Sequence, residues 1–479
     1  MRAPTYEQQA ILQAAADGHD LIKVSAGAGT GKTTSTQWLA GVPRRRSGGQ
    51  LYSQFAVMGG EDAAARLAGS GVICKRPGQL AWAAAAPWQR DRLNSSQRMK
   101  SADVAEAIGL SEKWVQDSTM MVTAAAWTAM MRATVVRFCQ SAREQVEDQH
   151  VPPGVRDSDV AEMVRAAQWL WDTQLNRESG MVPYTMDHCK KHWSLKCPRY
   201  RYSRIMVDEA QDTNPCDLHV YKNQDTQLIV IGDTQQQLYE WRGAVDALSD
   251  ETLPGGLWLP LSQSFRFGPE IAAVANRFLT LLDARFRLTG LGPPGRTGQL
   301  LSANAVLCRT NAECMRAAID HLQAGRKVAL AGKTRDELLA LARGAMALRS
   351  GRRSEHPALI SFRTWRGFCE YAENDPDGRD YLTLVRLVTA HGEQLVRHLE
   401  LMTDGPADVV CATVWKAKGM EWPAVMTASD FWPGEEGGFN EELAAWWLSG
   451  DRRNPFLRVC YVAVTRAQTQ LDSRSLSWI

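Results

Sequence analysis

The sequence predicts an α/β protein with parallel sheets flanked by helices, and three observations predict it. A short apolar run, Leu21-Ile22-Lys23-Val24, passes through a glycine-rich segment into a helical pattern from Thr33 to Ala40. A second run, Arg204-Ile205-Met206-Val207, ends on Asp208-Glu209. A third, Leu228-Ile229-Val230-Ile231, ends on Gly232-Asp233. Each reads as a buried strand that delivers polar residues to its C-terminal end, where ligands of open α/β sheets collect.

At 479 residues, 44% hydrophobic and 23% charged, the chain is too long for one hydrophobic core, so two or more domains are expected. No run of about 18 apolar residues appears, and the first residues lead into a polar stretch, so neither a membrane span nor a signal peptide is expected. The 10 cysteines show no repeated close spacing, which fits reduced thiols. A net charge of +2 leaves nucleic acid open, because a cleft can hold its basic residues locally. The 17 tryptophans supply π-faces for base stacking as well as bulk for cores.

The segment Ala26-Gly27-Ala28-Gly29-Thr30-Gly31-Lys32-Thr33-Thr34 lies where a strand turns into a helix. Glycines there let backbone N–H groups face phosphate oxygens, and the helix N-terminus adds partial positive charge. Lys32 is expected to reach the β and γ phosphates and the Thr33 hydroxyl to ligate Mg²⁺. Ala26 stands where such loops usually have their first glycine. The plainer reading is a tight loop with a solvated lysine; the Lys-Thr pair followed by a helix favours phosphate binding. Asp208 and Glu209 divide labour in the same reading, Asp208 holding Mg²⁺ through water and Glu209 accepting the proton of the attacking water. The segment 232–244 follows its strand with Gln236, then Tyr239, Trp241 and Arg242. Further on, Tyr461-Val462-Ala463-Val464-Thr465-Arg466-Ala467 offers a cation for the transferring phosphoryl group.

Taken in order, these segments resemble superfamily 1 DNA helicases of the UvrD/Rep type, and most closely the F-box DNA helicase branch with its phage and bacterial relatives. Thr5-Tyr6-Glu7-Gln8 looks like the adenine-reading Q motif, residues 51–67 like motif Ia, Leu261-Ser262-Gln263-Ser264-Phe265-Arg266-Phe267-Gly268 like motif IV, and Thr413-Val414-Trp415-Lys416-Ala417-Lys418-Gly419-Met420-Glu421-Trp422 like motif V. The resemblance implies two RecA-like motor domains using ATP and Mg²⁺. It implies that Gln8 binds adenine, Phe265 stacks on it, Glu421 helps hold the nucleotide, Arg266 and Arg466 clamp the γ-phosphate, and Gln236 couples hydrolysis to movement. Phe55, Tyr239, Trp241, Arg242 and Trp415 fall on the DNA track. The implied partners are single-stranded DNA and single-strand/duplex junctions, with 3′-to-5′ polarity, in the cytoplasm of a bacterial or phage-infected cell. Several positions depart from the family: Phe55 is followed by Ala56-Val57, the expected Thr-x-His reads Arg76-Pro77-Gly78, Trp415 stands for His, and Pro455-Phe456 replaces an acidic pair. The departures fall on the DNA track, so an ATP-switched clamp or remodelling ATPase without processive unwinding is the alternative.

The implied organisation is a first motor domain from residues 1–82 and 186–270, interrupted by a helical insertion at 83–185. A second comprises 271–345 and 405–479, interrupted by a short insertion at 346–404. Residues 101–115 have the look of a helix-turn-helix, against which stands simple helix packing inside the insertion. His188-Cys189-Lys190-Lys191-His192 and Cys197 invite a zinc reading, but their spacing fits no common finger, and a packed helix accounts for them as well. Arg44-Arg45-Arg46 reads as a solvated loop.

Overall fold

A computed structural model describes residues 3–43, 47–54, 65–95, 99, 101–110, 113–114, 121–331, 334–360, 362–374, 381–403, 405–434 and 438–479. Phe55 and Arg44-Arg45-Arg46 lie outside the described residues. The chain divides into two compact units, Met1–Ala26 with Lys32–Leu261, and Gly27–Gly31 with Ser262–Ile479.

The first unit is organised by a parallel sheet of β1 (Leu21–Ala26), β2 (Gly49–Gln54), β3 (Val72–Cys74), β4 (Tyr202–Asp208), β5 (Gln227–Gly232) and β6 (Leu257–Leu261), in the order β3-β2-β4-β5-β1-β6. Its central strands are apolar on both faces because helices cover both. Ile205, Val207, Leu228 and Val230 enter one core cluster. Met206, Ile229 and Ile231 enter the other with Ile22 and Val24. The register sets Val24 beside Ile231 and Val207 beside Val230, so β1, β4 and β5 end at the same edge. The helix Tyr6–Asp17 packs beside this sheet; Thr5 and Gln8 close a capping box at its start, and Gly18 ends it with φ 78°.

Between β3 and β4 the chain is mostly helical and carries its own core, in which Trp127, Met131, Val135 and Phe138 meet Met163, Leu170 and Trp171. The helix-turn-helix look of 101–115 resolves differently: the helix Ser101–Ala107 is followed by strand residues Lys113–Trp114, paired antiparallel with Met121–Val122. The helix Met186–Lys196 buries both histidines of the zinc reading, His192 stacked on Trp171 at 4.8 Å and His188 tilted against Tyr184 at 5.4 Å. His188 Nδ1 accepts from the Thr185 amide at 2.9 Å. Among the described residues no group of three or more His, Cys, Asp or Glu is arranged to hold a metal ion.

The second unit has a parallel sheet of β7 (Arg296–Thr297), β8 (Ala305–Cys308), β9 (Val328–Leu330), β10 (Val409–Thr413), β11 (Trp422–Thr427) and β12 (Ala467–Asp472), ordered β7-β12-β11-β8-β10-β9. The helices between β9 and β10 share its core: Leu384, Val388, Leu395 and Leu399 pack in one cluster with Val306, Val409 and Cys411. No described helix is long and apolar enough to cross a membrane.

Candidate active site

In the first unit, the shared edge of β1, β4 and β5 gathers Asp208, Glu209 and Asp233 with the start of the helix at Lys32. The helix Lys32–Gly41 starts on Lys32, with Thr33 and Thr34 in its first turn, all half-buried. Asp208 ends β4 and is 4% exposed. Its carboxylate accepts from the Tyr52 hydroxyl at 2.6 Å and from the Glu209 amide at 2.8 Å. Burial first, and Glu209 second, push its pKa up to about 6, while the Tyr52 hydrogen bond and Lys32 pull the other way. A buried carboxyl so disfavoured as an anion fits a divalent cation, which would restore its charge. Thr33 and Asp208 are the residues that would hold it.

Glu209 adopts a left-handed backbone, φ 52°, uncommon for a residue with a side chain and concentrated at functional turns. Its carboxylate accepts from Gln211 Nε2 at 2.6 Å. Gln211 Oε1 accepts from the Asp233 amide at 3.0 Å, and the Asp233 carboxylate accepts from Gln236 Nε2 at 2.7 Å. Beyond the buried Gln237 and Leu238 the chain emerges: Tyr239 is half-buried, Arg242 exposed, and Trp241 74% exposed with the Arg242 guanidinium 5.2 Å from its ring centre. Gln8 is buried, its Oε1 accepting from the Thr5 amide at 2.9 Å and its Nε2 donating to Ser35 at 3.3 Å, so the expected adenine reader ties two helices together.

The glycine-rich loop belongs to the second unit. Gly29 and Gly31 have φ of 74° and 81°, and a Cβ on Gly29 would stand 2.5 Å from that of Arg266, so glycine is required there twice over. The Thr30 hydroxyl donates to Gly27 O at 2.8 Å and pins the loop. The Phe265 amide donates to Gly29 O at 2.9 Å, and the Ala28 amide to the Tyr461 hydroxyl at 3.3 Å. Phe265 is half-buried. Arg266 donates to Glu421 at 2.5 Å and to Thr465 O at 2.9 Å. Burial would raise the Glu421 pKa, but Arg266 prevails and holds it below the usual carboxylate range. Arg466 is 1% exposed, its guanidinium donating to Val462 O at 3.0 Å, Met420 O at 3.3 Å and Thr465 Oγ1 at 3.1 Å. Trp415 is half-buried on the short helix Val414–Ala417 that leaves β10.

Residues 163–249, the stretch holding Asp208, Glu209, Gln236 and Trp241, match the model of the UvrD/REP helicase N-terminal domain. The chain is homologous to UvrD/Rep-type helicases. F-box DNA helicase protein 1 of Schizosaccharomyces pombe is 26% identical over 509 aligned positions, covering 98% of this chain and 57% of that protein. F-box DNA helicase 1 of Gallus gallus is 26% identical, covering 97% of this chain and 48% of its own length. DNA helicase II of Escherichia coli is 28% identical over 25% of this chain and 15% of its own. The chain thus spans about half the length of the curated relatives it matches along its whole extent. Sequence reasoning passed over Tyr52, Gln211, Asp233 and Tyr461 as individual side chains; the signal for three of them was their place inside motif segments already singled out.

Proposed function

We propose that this chain is an ATP-dependent single-stranded DNA translocase and helicase, with 3′-to-5′ polarity, acting on single strands and single-strand/duplex junctions in the cytoplasm. Coupling runs between the two α/β units, each read as a RecA-like motor domain. One observation carries the reading: in the first unit, Lys32, Asp208 and Glu209 share a sheet edge with Gln236, and the loop bearing Gln236 also presents an exposed Trp241. The names of the relatives, all DNA helicases, support it.

In this reading the loop amides and Lys32 bind the ATP phosphates. Bound Mg²⁺, held by Thr33 and Asp208, supplies charge neutralisation at the transferring phosphoryl group. Glu209 takes the proton of the attacking water, and Arg266 and Arg466 act on the transition-state charge. Gln8 and Phe265 hold the adenine, and Glu421 helps hold the nucleotide. Tyr239, Trp241, Arg242 and Trp415 contact the strand, where base–aromatic stacking is sequence-tolerant, and Phe55 joins them by its place in motif Ia. The clamp alternative is favoured by Arg76-Pro77-Gly78 and by Trp415, which alter the track without altering the hydrolytic residues. Strand separation on duplexes with a 3′ or a 5′ tail decides between them. The proposal expects ATP-dependent unwinding from 3′ tails, whereas ATPase stimulation by single strands with no unwinding from either tail selects the clamp.

A further inference from the structure

The loop between β5 and β6 is hung at both ends from the turn that carries Glu209. At its start the Asp233 amide donates to Gln211 Oε1 at 3.0 Å. At its end the Val245 amide donates to Thr213 O at 3.0 Å and the Ala247 amide to Ala210 O at 3.3 Å. Thr234 Oγ1 donates to Asp246 Oδ2 at 2.8 Å and closes the neck. Within 235–244, Gln236, Gln237, Leu238 and Ala244 stay buried while Glu240, Trp241 and Arg242 are exposed, Trp241 at 74%.

The Gln211 side chain touches both Glu209 and the loop, and it is fully buried. Its amide has two chemically different ends, and each is used: the NH₂ donates to the Glu209 carboxylate at 2.6 Å and more weakly to Asp212 Oδ2 at 3.3 Å, and the oxygen accepts from the loop. Parallel pairing of β4 with β5 puts the two strand ends side by side, so one glutamine spans them. Gly232 leaves the necessary room, since a Cβ there would lie 2.3 Å from Gln211 Oε1.

We propose that Gln211 is a positioning residue that sets the orientation of Glu209 and transmits it to the neck of the 233–246 loop. The inference rests on the proposed function for what Glu209 and Trp241 do, but not for the hold of Gln211 on the loop. A base whose carboxylate must meet one water is sensitive to small misplacement. A loop whose first amide hangs from that same side chain feels any shift of the base.

Two substitutions separate the halves of the amide. Gln211→Met fills the space and makes neither hydrogen bond. Gln211→Glu keeps an acceptor for the Asp233 amide but sets a carboxylate against that of Glu209. In the full-length protein without nucleotide, Gln211→Met is expected to speed amide hydrogen exchange at 233–246 at least 10-fold while the helix Tyr6–Asp17 exchanges as in the wild type; Gln211→Glu leaves the loop close to wild type. With ATP, both variants lower kcat at least 10-fold, with KM and the affinity for a fluorescent ATP analogue within threefold. Wild-type loop exchange and kcat in Gln211→Met overturn the proposal. So does a loss of kcat matched by an equal loss of nucleotide affinity, or a general rise in exchange in both variants, each of which marks a merely structural role. If the wild-type protein does not hydrolyse ATP, the proposed function fails, and loop exchange in the nucleotide-free variants still decides the role of Gln211.

Discussion

Removing the indole at 241 tests the DNA track with little risk to the fold. Trp241 is 74% exposed, and its recorded aromatic contact is the Arg242 guanidinium 5.2 Å from its ring centre. A cation–π contact at so exposed a position is worth about 0.5–1 kcal/mol, so Trp241→Ala is expected to change global stability by no more than that. Stacking of one base on an aromatic side chain is worth roughly 1–3 kcal/mol, which converts to a loss of about 5- to 150-fold in single-strand affinity. Fluorescence anisotropy with a labelled oligonucleotide reads the affinity, and ATPase assays with and without unlabelled strand read the coupling. Basal hydrolysis should survive while DNA stimulation collapses. Undiminished stimulation and affinity with an unchanged melting temperature would refute the stacking role. A large fall in melting temperature would refute the argument from exposure.

Lys32→Ala removes the cation beside the phosphates and is expected to abolish hydrolysis; a steady-state rate near wild type contradicts its role. Arg266→Ala and Arg466→Ala should each lower kcat by about 100-fold or more with little change in ATP binding, and a variant that loses only nucleotide affinity contradicts the assignment. The two differ in stability, because Arg466 is buried on two backbone carbonyls, and unpairing such groups costs about 1–3 kcal/mol each. Thermal denaturation should therefore separate them, Arg466→Ala melting lower than Arg266→Ala. Stability should also fall in mild acid. Burial first, then the neighbouring His192, lowers the His188 pKa to about 3, and burial lowers that of His192 to about 4. Folded pKa values below the unfolded value of about 6.5 mean that stability is intact above pH 6.5 and is lost as pH falls through that value toward the folded ones. Each histidine contributes about 1.4 kcal/mol per pH unit in that window, so the denaturation midpoint of the protein should drop between pH 7 and 5. A flat profile there would contradict their burial as neutral groups.

The strands that carry the site were readable because β1, β4 and β5 each hold a short, mostly apolar and buried stretch that runs into glycine or acidic residues, Gly27, Asp208-Glu209 and Gly232-Asp233. β6 was not, since Pro260 and the half-buried Leu257 and Trp258 mark an edge strand whose pattern competes with a loop reading. β12 was hidden too, its Ala-Gln-Thr-Gln-Leu-Asp holding three polar, half-buried residues in a row and so no apolar run to read. Glu209 and Lys32 were legible from motif spacing. The tie between Glu209 and the 233–246 loop was not, because it depends on β4 lying next to β5, a pairing between segments some 20 residues apart that no local pattern encodes. Nor does sequence decide whether a tryptophan in a loop is core or surface; Trp241 proves to be exposed.

In the proposed function, hydrolysis at Glu209 answers to single-stranded DNA. Steady-state ATP hydrolysis by the full chain, titrated with a single-stranded oligonucleotide beside the Glu209→Gln variant, tests it most directly. The account predicts a wild-type rate that rises and saturates with the strand, and a variant that still binds a fluorescent ATP analogue yet does not turn over at any DNA concentration. A wild-type rate indifferent to DNA, or a Glu209→Gln protein that hydrolyses at the wild-type rate, would contradict it.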